Sequence, residues 1–454
     1  MSDKTEPFGY TDTDLEGSDI VGITIVWSDN NGIPRARTIP VDQWDSVAEK
    51  GVGVTSLFAV FDTHDAITYD HDGLPNASGD VRLIPVADRR VPLAGQPGLA
   101  WVPGRQVGAD GTTWPYDQRG VLERQVDAAE AAGLQIQAGY ELEFFLDSSG
   151  AGPGVTPAHD GPAYSARALI SVNDFAVQLL RELRDNRVPI GQLHAEYGTA
   201  QIELSITPQD PVTAADLQLL ARQTIHAAAA RHGFRASFSP LVLAGDAGNG
   251  WHLHTSVWRA GDNLLTGDGP HGMSVDGASY VAGLLRDLPA LVAVTAPSEV
   301  SFQRLRPGYF SSAFGYWGIE NREAALRLVP GTPFVGLSHA NIELKPSDAS
   351  ANPYLALAAV IAAGIGGIAD GLSLPDPIAD NVGTWSPEQR SAAGISQLPG
   401  SSAEAIAALH ASPRVSAALG PDLLGAFTAV RRADATWAAD RGPEEIVAAH
   451  RWRY

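Results

Sequence analysis

The chain has 454 residues, enough for a large core and two or three domains, and its 44% hydrophobic content is ordinary for a globular protein. A formal net charge of −21 argues against a nucleic-acid partner, because phosphates favour clustered Lys and Arg. The chain has no cysteine, which excludes disulfides, thiolate metal sites and cysteine nucleophiles.

Nothing in the sequence favours secretion or a membrane span. The first ten residues lack the apolar core of a secretion signal, so we expect a cytoplasmic protein. The apolar run 354–369 is too short and too rich in Ala and Gly to cross a bilayer, and it predicts a buried helix instead.

The N-terminal part predicts short strands. Residues 20–29 alternate Ile and Val, and Asn31 and Gly32 supply the positive φ of a tight hairpin before a return strand. Residues 81–85 predict another strand. We therefore expect a small N-terminal domain, residues 1–105, followed by a second domain, residues 106–454.

The pattern changes at Tyr116. Residues 116–134 predict a helix that Gly133 stops. The following segment, GYELEFFL, alternates and places Glu141 and Glu143 on one strand face. Two such carboxylates repel unless they are solvated or bridged by a cation, so the segment indicates either a metal site or exposed acids.

A hairpin with two further acids follows at residues 192–207, QLHAEYGTAQIELSIT. The seven-residue spacing of Glu196 and Glu203 would put them on opposite faces of one continuous strand. A turn at Gly198 lets two strands aim both acids the same way. The alternative is a solvated hairpin with surface acids.

Helices are predicted on both sides of this hairpin. One covers residues 173–185, and another covers 213–233, with Thr213 as N-cap and Gly233 as terminator. Helices from Ser402 onward carry no candidate chemistry.

A histidine pair and several arginines come next. In GNGWHLHTSVW, His252, His254 and Ser256 share one strand face, which suits metal or phosphate binding better than a lone structural His does. Guanidinium forks hold carboxylates and phosphates, although surface placement is the alternative reading. The clustered arginines are Arg304, Arg306, Arg322 and Arg327.

The last polar strand face carries Asn341, Glu343 and Lys345. Oxygen ligands with one or two imidazoles suit Mg²⁺ or Mn²⁺, and nearby arginines suit phosphates held by those ions. Together these faces predict metal-assisted phosphoryl transfer. The glycines at 245–250 do not lead from a strand into a helix, so they predict a turn rather than a phosphate-binding loop.

Six motifs stand in an order that resembles the glutamine synthetase family over nearly the whole chain. They are GYELEFFL, HAEYGTAQIEL, GNGWHLHTS, RLRPG, NREAALR, and IELK followed by ANPYL. The resemblance implies an α+β fold, with a small N-terminal β-grasp domain plus a large catalytic domain whose curved antiparallel sheet is flanked by helices. It also implies a double-ring homo-oligomer, possibly a dodecamer, with active sites shared between neighbouring subunits.

The resemblance also implies a role for each matched residue. Two or more Mg²⁺ or Mn²⁺ ions are implied, one beside glutamate and one beside the ATP phosphates. The glutamate-side ligands are Glu143, Glu196 and Glu203, and the phosphate-side ligands are Glu141, His252 and Glu343. Nucleotide contacts are His254, Ser256 and Arg327; Arg322 stabilises the γ-phosphoryl group and Arg304 binds the glutamate α-carboxylate; Gly248, Lys345 and Phe310 are the other substrate positions.

Several departures from the family pattern bear on the amine. Phe310 stands where ammonia-using members carry a flap glutamate, and the segment AVFDTHDAI does not match their ammonium-binding FDGSS loop. Ala247 and Lys345 replace a substrate asparagine and an arginine, and Ser396 replaces the regulatory tyrosine. Ammonium loses its anionic partners, whereas an aromatic ring can pack on an alkyl amine.

The leading hypothesis is an ATP-dependent glutamate:amine ligase that forms a γ-glutamyl amide through γ-glutamyl phosphate. Its amine is expected to be a polyamine or other alkyl amine, as in the glutamine synthetase-like proteins of actinobacteria. One alternative is an ammonia-dependent glutamine synthetase. A second alternative is a catalytically inactive family member with a structural or regulatory role.

Overall fold

The structure is a computed structural model that describes residues 19–74, 79–150, 152, 154–309 and 311–454. An N-terminal sheet has the order β2-β1-β6-β4-β3, with β5 beside β6. Its central pair, β1 and β6, is parallel and its other pairs are antiparallel. The strands are β1 Gly22–Ser28, β2 Pro34–Pro40, β3 Val52–Thr55, β4 Asp80–Pro85, β5 Val91–Pro92 and β6 Leu99–Val107.

A second, larger sheet has the order β13-β14-β15-β11-β7-β9-β8, with β10 beside β7 and β12 beside β11. It is antiparallel except between β13 and β14. Its strands are β7 Gln135–Asp147, β8 Ile190–Ala195, β9 Gln201–Gln209, β10 Arg235–Ser237, β11 Leu253–Arg259, β12 Asp262–Asn263, β13 Trp317–Ile319, β14 Leu326–Val329 and β15 Asn341–Leu344.

Helices pack against both sheets. They are α1 Trp44–Lys50, α2 Gln118–Ala131, α3 Ala166–Ser171, α4 Asn173–Asp185, α5 Pro211–Arg231, α6 Val275–Thr295, α7 Ser301–Arg304, α8 Pro353–Ala369, α9 Pro387–Ala392, α10 Ser402–Ala411, α11 Pro413–Leu419, α12 Pro421–Ala438 and α13 Pro443–His450.

The core is centred on α6 and α8, which pack backbone against backbone. A Cβ added at Gly283 would lie 2.3 Å from the Ala363 carbonyl oxygen, so only glycine permits this approach. The buried helix predicted for residues 354–369 is confirmed as α8. Helix α6 is long and apolar enough to cross a membrane, but 83% of its most apolar 18-residue stretch is buried inside the fold.

Two local predictions are wrong. The helix predicted to start at Thr213 starts at Pro211, and its cap is Asp210, whose carboxylate accepts a hydrogen bond from the Thr213 N–H at 3.0 Å. Proline at the first helical position needs no N–H partner, which moves the start upstream. In the first hairpin only Gly32 has a positive φ, because the Asn31 side chain instead turns inward and donates to the Phe61 carbonyl oxygen. The predicted domain boundary at residue 105 stays a prediction; β6 runs through it to Val107.

Candidate active site

The register of the second sheet brings its acidic faces together. On β7 and β9, Glu143 lies directly opposite Glu203, and on β8 and β9, His194 lies opposite the same Glu203. Glu196 follows the end of β8, and the turn at Gly198 returns the chain to β9, with the Gln201 N–H donating to the Gly198 carbonyl oxygen. Both glutamates of the predicted hairpin therefore face one side.

In the other half of the sheet, strands β11, β15 and β14 carry a histidine, a glutamate and an arginine of the predicted site. His254 on β11 lies opposite Glu343 on β15, and Glu343 lies opposite Arg327 on β14. Directly opposite residues on neighbouring strands have their Cβ atoms about 5 Å apart. Groups up to 200 positions apart in sequence, such as Glu143 and Glu343, therefore meet across six strands.

One cavity of about 660 Å³ collects most of the predicted residues. Among its lining residues are Glu141, Glu143, Glu196, Glu203, Gly248, His252, Arg304, Arg322, Arg327, Glu343 and Lys345. A second cavity of about 660 Å³ shares Glu141 with the first and contains His254 and Ser256. A larger cavity of about 980 Å³ lies between α6, α8 and α11, and its described lining has none of these groups. The predicted ligands and arginines therefore lie in the first two cavities, which share Glu141.

The first ligand group consists of Glu141, His254 and Glu343, which each offer one atom within 4.8 Å of the others. His254 Nε2 lies 3.3 Å from a Glu141 oxygen, and its Nδ1 is held 2.9 Å from the Asn341 side-chain oxygen. Within the described part of the chain, that buried Nε2 atom has no hydrogen-bond partner. His252 joins the group, with Nδ1 at 2.9 Å from Glu141 and 3.5 Å from Glu343.

A second ligand group consists of His194, Glu196 and Glu203, again within 4.8 Å of one another. Nδ1 and Nε2 of His194 lie 3.6 Å and 3.4 Å from the two carboxylates, respectively. Glu143 lies between the two groups, because His252 Nε2 is 3.8 Å from it. Carboxylates and imidazoles converging from separate strands are a donor set that fits divalent cations. Which of these side chains bind which ion stays a prediction.

The pKa values of the buried carboxylates shift in different directions, because their charged neighbours differ. Burial raises the pKa of Glu143, and the nearby charge of Glu203 raises it further. Burial also acts to raise the pKa of Glu141, but His254 and His252 outweigh it and hold that pKa well below its usual range. For Glu343, burial is outweighed by Lys345 and His254, which lower its pKa to about 2. Buried acids of this density are costly without cations beside them.

The metal-free chain is expected to lose stability in alkaline solution through His254. Burial lowers the pKa of this imidazole, but Glu141 outweighs burial and raises the pKa from 6.5 to about 9. The stabilisation is complete below pH 6.5 and is lost as the pH rises through about 9, a change of about 3 kcal/mol in the free energy of unfolding. Urea unfolding in EDTA measures it, and His254→Gln should flatten the profile. An unchanged profile in that variant would contradict the assignment.

Arg304 is the most buried of the clustered arginines. Its Nη2 donates to the Ser347 carbonyl oxygen at 2.7 Å, and its Nε lies 3.8 Å from an Asp348 oxygen. Burial lowers the pKa of Arg304. A Cβ added at Gly248 would lie 2.6 Å from the Arg304 Cγ atom, so the glycine backbone lies against the arginine stem.

The remaining predicted positions lie around these groups. Arg327 donates to Glu343 at 3.0 Å, and Lys345 Nζ donates to the other oxygen of Glu343 at 3.2 Å. Arg322 lies exposed at the cavity wall. In the second cavity, the Ser256 hydroxyl accepts a hydrogen bond from Trp258 at 2.8 Å. Phe310 falls outside the described residues.

Six lining residues of the first cavity were not predicted: Tyr164, Gln192, His194, Tyr197, Gln201 and Tyr309. The Gln201 amide donates to Glu143 at 2.7 Å and to the Gly248 carbonyl oxygen at 2.9 Å. The Tyr164 hydroxyl donates to Glu196 at 2.6 Å. His194 and Gln201 had a usable sequence signal, because each stands two positions before a predicted glutamate, Glu196 and Glu203 respectively, and such residues share a face of an extended chain.

Comparisons with known proteins agree with this geometry. The profile of the glutamine synthetase catalytic domain matches residues 115–445. A gamma-glutamylpolyamine synthetase of Streptomyces coelicolor is 42% identical over 97% of this chain and 95% of its own. A glutamine synthetase of Pyrococcus horikoshii is 30% identical over 89% of this chain and 87% of its own.

Solved structures show the same fold. The crystal structure of a novel glutamine synthase homolog has a TM-score of 0.85 at 30% identity, covering 96% of this chain and 99% of that one. The ADP complex of GmaS has a TM-score of 0.81 at 25% identity, covering 95% and 96%. Enzymes of this family depend in general on ATP and a divalent metal. The α+β fold, the sequence motifs and the matched domain agree, and the chain belongs to the glutamine synthetase family as an ATP-dependent ligase that joins glutamate to an amine.

Proposed function

We propose that the acceptor is a polyamine or another alkyl amine, which receives the γ-glutamyl group from γ-glutamyl phosphate. The observation that carries this proposal is the 42% identity, over 97% of the chain, with a gamma-glutamylpolyamine synthetase. The aromatic Phe310, where ammonia-using members carry a flap glutamate, points the same way.

Two or more Mg²⁺ or Mn²⁺ ions are proposed to be held by Glu141, Glu143, Glu196, Glu203, His252 and Glu343, with His194 and His254 beside them. Bound there, such ions supply charge neutralisation and polarisation at phosphate oxygens. The support is chemical: oxygen and imidazole donors converge, and the burial of Glu143 is unfavourable without a cation nearby.

Arg304 is proposed to hold the α-carboxylate of glutamate. Its Nη2 donates to the Ser347 carbonyl oxygen, which fixes the plane of the guanidinium, and the backbone of Gly248 lies against the arginine stem. A planar fork matches a carboxylate with two donors. Lys345, at the same wall, adds a positive charge for the substrate but is also paired with Glu343.

The γ-carboxylate of glutamate then attacks the γ-phosphorus of ATP, and ADP leaves. We propose that Arg322 and Arg327 balance the charge that develops on the transferred phosphoryl group, while His254 and Ser256 lie on the nucleotide side. Because the two cavities meet at Glu141, the reacting oxygen and the phosphate are expected there. Fixed charges placed where charge develops lower the barrier most.

The acceptor amine must lose a proton before it displaces phosphate. Glu196 is suited to take it through the oxygen that accepts the Tyr164 hydroxyl at 2.6 Å, because its other oxygen, 3.6 Å from His194, lies on the side of the proposed cation. Burial raises the pKa of Glu196. A carboxylate fixed in this way at the cavity edge both attracts an alkylammonium ion and accepts its proton.

Phosphate release from ATP and glutamate, measured with ammonium, ethanolamine, putrescine and spermine, tests the proposal. Turnover with an organic amine is expected to exceed turnover with ammonium at equal concentration. Turnover with ammonium alone would identify an ammonia-dependent glutamine synthetase. No phosphate release with any of these amines would favour a catalytically inactive member of the family.

A double-ring homo-oligomer with active sites shared between subunits is also proposed, on the family resemblance. A cytoplasmic location is proposed on the absence of cysteine.

A further inference from the structure

Three tyrosines line the mouth of the first cavity: Tyr164, Tyr197 and Tyr309. They remain 61%, 62% and 42% exposed, respectively, although they border a cavity whose inner wall is buried. They come from separate segments: the loop before α3, the turn after β8, and the loop after α7. Amphipathic rings gathered from distant segments offer a surface that an apolar chain can cover.

Tyr164 is positioned by the proposed amine-binding carboxylate, and Tyr197 is its neighbour in the chain. Tyr164 bonds to Glu196, and its ring centroid lies 6.1 Å from that of His194. It keeps this place with a φ of 57°, a left-handed conformation that is unfavourable for a bulky residue. Tyr197 directly follows Glu196 in the chain. An amine nitrogen at Glu196 would therefore have its chain start beside Tyr164 and Tyr197, which line the same cavity.

Tyr309 lies on the wall that carries positive charge. The Arg306 guanidinium lies 4.1 Å from its ring centroid. A chain that ends in a second ammonium group would be repelled from that side and favoured near Tyr197. Tyr197 also directly follows Glu196 in the chain, so its removal should affect most an alkyl chain whose nitrogen lies at Glu196, with or without a second ammonium group.

We propose that Tyr164, Tyr197 and Tyr309 form a subsite for the hydrocarbon chain of the acceptor amine, with Tyr197 as its specificity-determining residue. The inference rests on the proposed amine ligase function. Ammonium has no chain and gains nothing from this subsite. Each methylene fully removed from water contributes about fourfold in binding, so half-covered methylenes should contribute about twofold each.

The test is a series of primary amines, ethylamine, n-butylamine and n-hexylamine, assayed with the full-length enzyme, ATP and glutamate. We expect kcat/KM to rise about twofold per methylene in the unchanged enzyme. Tyr197→Ala should lower kcat/KM for hexylamine about tenfold, through KM, and leave the KM values of ATP and glutamate within about twofold. Tyr197→Phe should keep the rise with chain length, because the ring face and not the hydroxyl is used.

Val275→Ala is the matched control, since Val275 is 68% exposed and lines neither cavity. An equal loss for all three amines in Tyr197→Ala, an unchanged rise with chain length, or dissociation of the assembly in light scattering would overturn the subsite alone. If the unchanged enzyme uses none of these three amines, the subsite is rejected; the proposed function is rejected as well only if ethanolamine, putrescine and spermine also give no phosphate release. Circular dichroism of each variant checks that the fold is retained.

Discussion

Glu203→Gln is expected to reduce ligase turnover about a thousandfold, the upper range for loss of one charge-stabilising group. Glu203 is 6% exposed, lies opposite Glu143 across the sheet, and lies 3.4 Å from His194. The substitution conserves size and polarity but removes the negative charge that a divalent cation needs. Initial rates of phosphate release at saturating ATP and glutamate measure the loss.

The same substitution is expected to leave the metal-free chain at least as stable as before. Burial raises the pKa of Glu143, and repulsion from Glu203 adds to that rise, so removing one charge relieves the pair. In the unchanged protein, Mg²⁺ at a hundred times its Kd should stabilise the fold by about 2.7 kcal/mol. The variant should lose most of that gain.

Thermal unfolding with EDTA and with Mg²⁺ separates the two effects. Glu130→Gln, on the exposed face of α2, is the matched control and should behave as the unchanged protein does. If Glu203→Gln retained both its activity and its full Mg²⁺-dependent rise in Tm, the proposed ligand group around Glu203 would be wrong.

Arg304→Ala is expected to impair both substrate use and folding. Asp348 is fully buried and has Arg304 as its nearby positive charge, so truncation leaves a buried carboxylate uncompensated. Breaking such a buried pair costs about 3 kcal/mol or more. Loss of the proposed α-carboxylate contact should lower kcat/KM for glutamate at least a hundredfold, as expected for a charged group left without its partner.

Arg304→Lys separates these two roles. Lysine restores a positive charge beside Asp348 and should recover part of the lost stability, but it has no planar fork, so KM for glutamate should stay high. Urea unfolding and glutamate titrations are the measurements. The control Arg184→Ala removes an arginine whose side chain is 74% exposed and should change neither quantity. A normal KM in Arg304→Lys would exclude bidentate binding.

Much of the fold was predictable from local patterns. The alternation in residues 139–146 correctly placed Glu141 and Glu143 on one face, and the alternation in residues 251–257 correctly placed His252 and His254 on one face, where both lie beside Glu141. These predictions succeeded because the side-chain period of a strand is fixed by its backbone. The cap at Asp210 was not predicted, because Asp and Thr both have a side-chain oxygen that can cap a helix. Only Pro211, which favours the first helical position, distinguishes Asp210 from Thr213.

The candidate site was predictable as a set of residues but not as a geometry. Tyr164 follows a loop rich in Gly and Pro and shows no periodicity, so nothing local connects it to Glu196. The strand period places Gln201 on the face of Glu203, but it does not predict that the Gln201 amide donates to both Glu143 and the Gly248 carbonyl oxygen. Side-chain partners of this kind depend on the packing of segments that are distant in sequence.

The sequence by itself determined which side chains carry the chemistry, because residue type and strand period are local properties. The tertiary structure alone decided how they group: strand order and register put His194 opposite Glu203 and His254 opposite Glu343. Register between strands far apart in the chain is set by burial of their apolar faces, here Leu142, Leu204 and Ile342, and not by the polar residues themselves. The positions of the cation ligands are therefore a consequence of how the hydrophobic side of the same sheet packs.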